Sequence, residues 1–299
     1  MVQERDRSLP SAGDDLRLPH ASLEETTRPK DLVFTLFGEY LLATDRPVWV
    51  GSLIALLEPF GLSGGRVRTT LSRMSKRGWL RGERMGRHAY YSLTSKGRRL
   101  LEEGQAKIFH PTWDHDWDGQ WVLLAYSIPQ GARSLRDRLR DRLAWLGFGS
   151  IGNGLWISPH DVGDEVGALA EHMDLGDRLV WFRATRAGGE TTGDLVARCW
   201  NLAALGASYT AFVARWAAVR DRARLDPRDP ASASERAFVD RFALIHEFRR
   251  FRLEDPFLPR TLLPTPWPGD AASSLFLELH DALVGPADAH VESVLDAAP

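Results

Sequence analysis

The chain has 299 residues, 43% of them hydrophobic and 26% charged, with a formal net charge of −2. That length gives room for two or three domains of about 100–200 residues each, and no apolar run reaches the ~18 residues of a membrane span. Cys199 is the sole cysteine, which excludes an intramolecular disulfide and a cysteine-rich zinc site and fits a reducing cytoplasm.

Residues 1–29 mix Arg5, Arg7, Asp14, Asp15, Glu24 and Glu25 without the apolar stretch of a secretory signal, and read as a flexible arm. The near-neutral net charge conceals a split. Between Asp45 and Arg99 twelve lysines and arginines face three carboxylates, so the rest of the chain is acidic. A basic island of domain size on an acidic body is the electrostatic footprint of a phosphate-binding module.

Asp31 is placed to cap a first helix carrying Leu32, Leu36, Phe37, Tyr40 and Leu41. Asp45-Arg46-Pro47 breaks it, Val50, Leu53, Ile54 and Leu57 mark a short second helix, and Ser63 is the N-cap expected for a third that runs to about Arg77. In this third helix Val67, Leu71 and Met74 fall on one side at ~100° per residue. Thr69, Ser72, Arg73 and Lys76 take the other, flanked by Arg66 and Arg68, and no acid occurs from Leu62 to Leu80. Hydroxyls and guanidiniums without countercharge suit a helix lying in a DNA major groove, where arginine reads guanine edges bidentately.

Leu80 to Arg84 and Ala89 to Leu93, joined at Met85-Gly86-Arg87, predict a two-stranded hairpin whose tip presents Arg84, Arg87 and His88. Thr94 is the cap expected for a following linker helix. Three helices, a basic hairpin and a linker helix define a winged helix-turn-helix over residues 30–112. Its candidate DNA contacts are Ser63, Arg66, Arg68, Thr69, Ser72, Arg73, Lys76, Arg84, Arg87 and His88. The stretch Ser63 to Gly97, SGGRVRTTLSRMSKRGWLRGERMGRHAYYSLTSKG, resembles the head of the PaaX family of repressors of phenylacetate catabolism.

Residues 113–186 read as a ferredoxin-like domain in the order βαββαβ, expected to serve as a pairing module. Its elements are a strand at Trp121–Tyr126, a helix with Leu135, Leu139, Leu143 and Leu146 apolar, a hairpin about Gly152-Asn153-Gly154, a helix from about Val162 to Met173, and a strand at Leu179–Ala184. Gly149, Gly152 and Gly154 lie between two strands and lack the strand–loop–helix context of a nucleotide loop. His110, Asp114, His115, Asp116 and Asp118 invite a metal reading, but no second cluster supports it. The domain also resembles the spacer-acquisition nuclease of CRISPR arrays, in which a carboxylate after the first strand helps to bind metal. Here that place reads Tyr126-Ser127-Ile128-Pro129, without an acid, which argues against a nuclease.

Residues 187–299 are expected to be helical. A stripe from Leu195 through Cys199, Leu202, Leu205, Tyr209, Phe212 and Trp216 to Val219 reads as one helical stretch opened by Asp194. A second helix carries Phe238, Phe242, Ile245, His246 and Phe248, and a last one spans about Ala272 to Leu283. The run from His246-Glu247-Phe248-Arg249-Arg250 to Trp267-Pro268-Gly269 is similar to the C-terminal signature of the PaaX family. The resemblance then covers about Lys30 to Leu283 and implies a homodimeric repressor of a palindromic operator in double-stranded DNA, released by an aryl-CoA thioester, phenylacetyl-CoA in the best-known members. His246, Arg249 and Arg250 are the candidate effector-facing cluster, since arginine binds CoA phosphates well. A structural ion-pair group with Glu247, Glu254 and Asp255 is the competing reading. No catalytic residue, metal, other cofactor or membrane partner is expected. The other functions weighed are a metal-dependent nuclease on the middle domain and an adaptor whose winged helix binds no DNA.

Overall fold

The computed structural model describes residues 28–44, 46–109, 117–129, 131–223 and 230–299. Most of the expected arm, and His110 to Asp116 of the suggested metal cluster, lie outside them. The described chain is α+β, with two small antiparallel sheets and ten α-helices. It divides into two compact units. The first joins the chain up to Leu101 with Asp221–Ile245 and Leu279–Pro299; the second joins Glu102–Arg220 with His246–Glu278.

In the first unit, helix α1 (Pro29–Tyr40) starts one turn earlier than Asp31 suggests. Arg28 is extended, with φ −71° and ψ 134°, because the following proline disfavours the helical region, and Pro29 is itself pre-set for a first helical position. Asp31 therefore sits in the first turn facing the helix dipole and does not cap. A two-residue strand β1 (Val48–Trp49), not foreseen in the sequence, leads into α2 (Val50–Leu57). Helix α3 (Gly64–Lys76), strands β2 (Leu80–Met85) and β3 (His88–Leu93), and helix α4 (Ser95–Phe109) follow. The strand order is β1-β3-β2.

The core of this unit gathers Phe37, Leu53, Leu57, Phe60, Val67, Leu71 and Met74, each at most 2% exposed. Helices from the end of the chain complete it. Phe60 stacks on Phe242 with centroids 4.0 Å apart, Ser52 Oγ donates to Val294 O at 3.1 Å, and Tyr90 OH donates to Pro299 O at 3.2 Å.

In the second unit, β4 (Trp121–Tyr126), α5 (Arg133–Trp145), β5 (Gly149–Gly152), β6 (Leu155–Ser158), α6 (Gly163–His172) and β7 (Leu179–Ala184) run in the order βαββαβ. The sheet order is β5-β6-β4-β7, with every neighbouring pair antiparallel. Val122, Leu124, Leu139, Leu143, Phe148, Trp156, Val166 and Leu179 form its core. Asn153 (φ 51°) and Gly154 (φ 82°) turn β5 into β6, the left-handed pair that a tight I′ hairpin requires.

Beyond the sheet, the single stretch expected from Asp194 is two helices, α7 (Thr192–Cys199) and α8 (Leu202–Ala223). Thr191 caps the first in a capping box with Asp194 at its third position. Trp200 is extended between them, donating its indole N–H to Gly147 O at 3.3 Å, and Asn201 Oδ1 accepts from Ala204 N–H to start the second. Helix α8 is long and apolar enough to cross a membrane by composition, the one such helix among the described residues. Its Tyr209, Phe212 and Trp216 are fully buried within the protein.

Helices α9 (Pro230–Glu254) and α10 (Pro268–Asp296) contribute to both units. The second is far longer than Ala272 to Leu283 and continues through Pro286. A proline inside a helix costs about 3 kcal/mol, and burial of Leu283, Ala287 and Val291 on either side offsets it.

Candidate DNA interface

Helix α3 owes its orientation to one apolar stripe. Val67, Thr70, Leu71 and Met74 are buried; full burial of a Val, Leu or Met side chain stabilises by roughly 1.5–3 kcal/mol. That stripe turns Arg66, Arg68, Thr69, Ser72, Arg73 and Lys76 outward, and all six are exposed. No ion pair among the described residues engages Arg66, Arg68, Arg73 or Lys76. Ser63 holds the extended backbone of an N-cap position, but its hydroxyl makes no capping bond. It stays exposed at the helix start. Thr69 Oγ1 donates to Gly65 O at 2.9 Å, which leaves its lone pairs pointing out. Arg73 and Lys76 occupy the last turn, where the helix dipole favours cations.

The hairpin is fastened to the end of this helix by a small set of backbone-directed bonds. Thr94 Oγ1 donates to Gly78 O at 2.6 Å, and the same oxygen accepts from Gly97 N–H at 3.1 Å as the cap of α4. Gly97 is required there, since a Cβ would fall 2.1 Å from Trp79 O. Trp79 packs edge-on against Phe34, and the Arg77 guanidinium lies over its ring at 5.3 Å. The strands pair from Leu80↔Leu93 to Met85↔His88, leaving Gly86 and Arg87 as the turn. Gly86 has φ 61°, which suits the first central position of a II′ hairpin.

Arg81, Arg84 and Arg87 are exposed along this hairpin. His88 is more engaged than a bare tip residue. It is half-buried, its Nε2 accepts from Arg87 Nε at 3.1 Å, and its ring meets Trp49 at 5.9 Å. The hairpin tip thus carries a guanidinium hydrogen-bonded to an imidazole nitrogen, with the Trp49 ring of β1 against that imidazole.

The second candidate cluster has a different character. His246 is 6% exposed. Burial, with Arg249 and Arg250 nearby, brings its imidazole down to about 4, so it carries no charge near neutral pH. Arg249 is half-buried and Arg250 exposed. Two of the neighbouring carboxylates, Glu247 and Asp255, each accept from a side chain of α8. Glu247 accepts from Arg215 at 2.6 Å and from the Trp216 indole at 2.9 Å, and Asp255 accepts from Tyr209 OH and from Phe257 N–H, both at 2.7 Å.

A third cluster was missed in the sequence. Arg241 on α9 is 4% exposed. Its guanidinium lies 3.7 Å from Glu39, 3.5 Å from Asp288 and 3.2 Å from His280 Nε2, and sits over the Tyr40 ring at 4.8 Å. Burial pushes the Tyr40 phenol well above its ordinary value, with Arg241 pulling the other way. Burial, then Arg241, lowers His280. The available signal was Arg241 itself, a charge inside the apolar stripe of Phe238, Phe242 and Ile245. No group of three or more potential metal ligands occurs among the described residues.

An exposed cationic helix locked beside a basic hairpin belongs to the class of transcriptional regulators, and comparison with known proteins gives the family. Three family models match successive parts of the chain: "PaaX-like protein" over residues 28–97, "PaaX protein central Cas2-like domain" over 114–196 and "PaaX-like protein C-terminal domain" over 200–293. The chain is 33% identical to the transcriptional repressor PaaX of Escherichia coli (strain K12) over 283 residues, covering 93% of this chain and 87% of that protein. It is also similar in structure to the uncharacterized protein Rv0674 of Mycobacterium tuberculosis, with a TM-score of 0.56, 25% identity, and coverage of 85% of this chain and 96% of the other. The chain belongs to the PaaX family, as a regulator of the transcriptional-repressor type and not an enzyme.

Proposed function

We propose that this protein represses transcription by placing α3 in the major groove of double-stranded DNA, with the β2–β3 hairpin as a wing on the backbone. The observation that carries the reading is the exposed, acid-free face of Arg66, Arg68, Arg73 and Lys76 on a helix whose other side is wholly buried. In this reading residues 30–112 act as a winged helix-turn-helix, with Arg73 and its neighbours on base edges and Ser63, Arg84 and Arg87 on phosphates. His88 orients Arg87 through their hydrogen bond.

Residues 113–186 are read as a ferredoxin-like pairing domain, for which the sheet order β5-β6-β4-β7 is the support. A homodimer fits β7, an edge strand whose Val180, Trp181 and Phe182 are 46%, 37% and 57% exposed. Apolar edges of this kind are normally covered. Two heads related by a two-fold axis would read a palindrome.

Residues 187–299 are proposed to take the effector, an aryl-CoA ester such as phenylacetyl-CoA, in the cytoplasm. Arg249 and Arg250 would supply charge for its phosphates, and buried His246 a neutral contact. An effector that favours the state not bound to DNA shifts the population off the operator. The test is a gel shift with the DNA flanking the gene's own locus. A retarded band that aryl-CoA esters abolish is expected. Equal retardation of unrelated DNA at every salt concentration would contradict the operator reading, and indifference to every aryl-CoA would contradict the effector.

A further inference from the structure

From the distribution of charge in the βαββαβ domain we infer a second nucleic-acid contact, on helix α5 and separate from the head. It is formed by Arg138 and Arg142, with Trp145 beside them. It rests on the reading that the protein binds DNA and extends it to a surface that has no part in base recognition.

Residues 121–184 contain seven arginines, and five of them, Arg133, Arg136, Arg138, Arg140 and Arg142, lie on this one helix. The remainder of that span holds Arg178 and Arg183 against six carboxylates. Outside this helix the domain is therefore acidic, while the helix sets its five arginines against only Asp137 and Asp141, which makes it a steering surface for polyanions. Leu139 and Leu143 are fully buried and fix the rotation of the helix. At ~100° per residue, Arg138, Arg142 and Trp145 then share one flank, one helical turn apart, while Arg133, Arg136 and Arg140 take the other.

The two flanks differ. Arg133 reaches Asp137 at 3.7 Å, so that side is partly neutralised. Arg138 and Arg142 are exposed and join no ion pair among the described residues. The Arg142 guanidinium lies 5.9 Å from the centre of the Trp145 ring, and Trp145 is 40% exposed. A guanidinium held over an indole keeps its outer N–H edge for an acceptor and loses less side-chain freedom on binding. Arginines at this spacing, with an aromatic alongside, suit phosphate oxygens along a nucleic-acid backbone, which carries no sequence information.

The experiment compares the full-length protein with Arg138→Gln/Arg142→Gln and, as a control on the other flank, Arg133→Gln. Binding to a duplex of arbitrary sequence, about 60 bp long to give room for backbone contacts beyond the head, is followed by anisotropy over a salt series. Each phosphate contact contributes about 0.9 to the slope of log affinity against log salt. The double variant should therefore lose about 1.8 from that slope, with affinity down on the order of tenfold at ~0.1 M salt, while Arg133→Gln keeps the parent slope. Sedimentation of the same variants distinguishes a contact between copies. An unchanged slope in the double variant overturns the inference, and so does a change of oligomeric state with DNA affinity intact. Arg73→Ala serves to separate the two readings: if it weakens binding at the operator while the α5 double variant does not alter the slope, only the second contact fails.

Discussion

Arginine does opposite work in two regions of the first unit. On α3, Arg66, Arg68 and Arg73 are exposed and unpaired among the described residues. On α9, Arg241 is buried against Glu39, Asp288 and His280. A guanidinium in water costs folding almost nothing and stays available for a polyanion. One withdrawn from water is tolerated only while its partners remain, and it holds α1 to α9 and α10 in one arrangement. The difference teaches that cation count alone does not locate an interface. What matters is which cations the apolar stripe of their helix turns toward solvent.

The largest effect expected from breaking that contrast is at the buried member. Arg241→Ala removes the buried cation that Glu39, Asp288 and His280 share, and should cost about 3–5 kcal/mol of unfolding free energy, read by urea denaturation. A surface replacement such as Arg68→Ala should remain within about 0.5 kcal/mol. Equal costs at the two positions would remove the distinction.

Next in size is the pH response of buried His246. Its folded pKa, about 4, lies below the unfolded value of about 6.5, so the unfolded state takes up a proton first as pH falls. The contribution to stability is complete above about pH 6.5 and is lost toward pH 4, by up to about 3 kcal/mol. Denaturation midpoints at pH 7.5 and pH 5 should differ more in the parent than in His246→Gln. A variant with the parent's full pH dependence would assign the titration elsewhere.

Much of this contrast could be read in the sequence, and the reasons for the failures are physical. The α3 face followed from the three-to-four spacing of Val67, Leu71 and Met74 and the absence of acids, and the helix runs Gly64–Lys76 where Ser63 to Arg77 bounds were expected. Both strands of the hairpin and the βαββαβ order followed from apolar runs and turn residues. Local signals misled where tertiary packing prevailed. The last helix is expected to end near Leu283, yet α10 continues through Pro286 with Ala287 and Val291 buried. Leu195 to Val219 keeps helical spacing across Trp200, where the backbone is extended and the indole N–H bonds to Gly147 O. Strand β1 was too short for any periodicity and exists by pairing with Tyr90 and Tyr91. Arg241 was legible only as an anomaly, because its partners Glu39, His280 and Asp288 are distant in sequence.

The central claim is tested most directly by Arg73→Ala, measured on an operator fragment selected from the gene's own flanking DNA and on a scrambled duplex of equal length. The loss expected at the operator is about 1–3 kcal/mol, with relaxed preference at one base position and little change on the scrambled duplex. An equal loss on both, or none on either, would contradict a base-reading role for the outward face of α3.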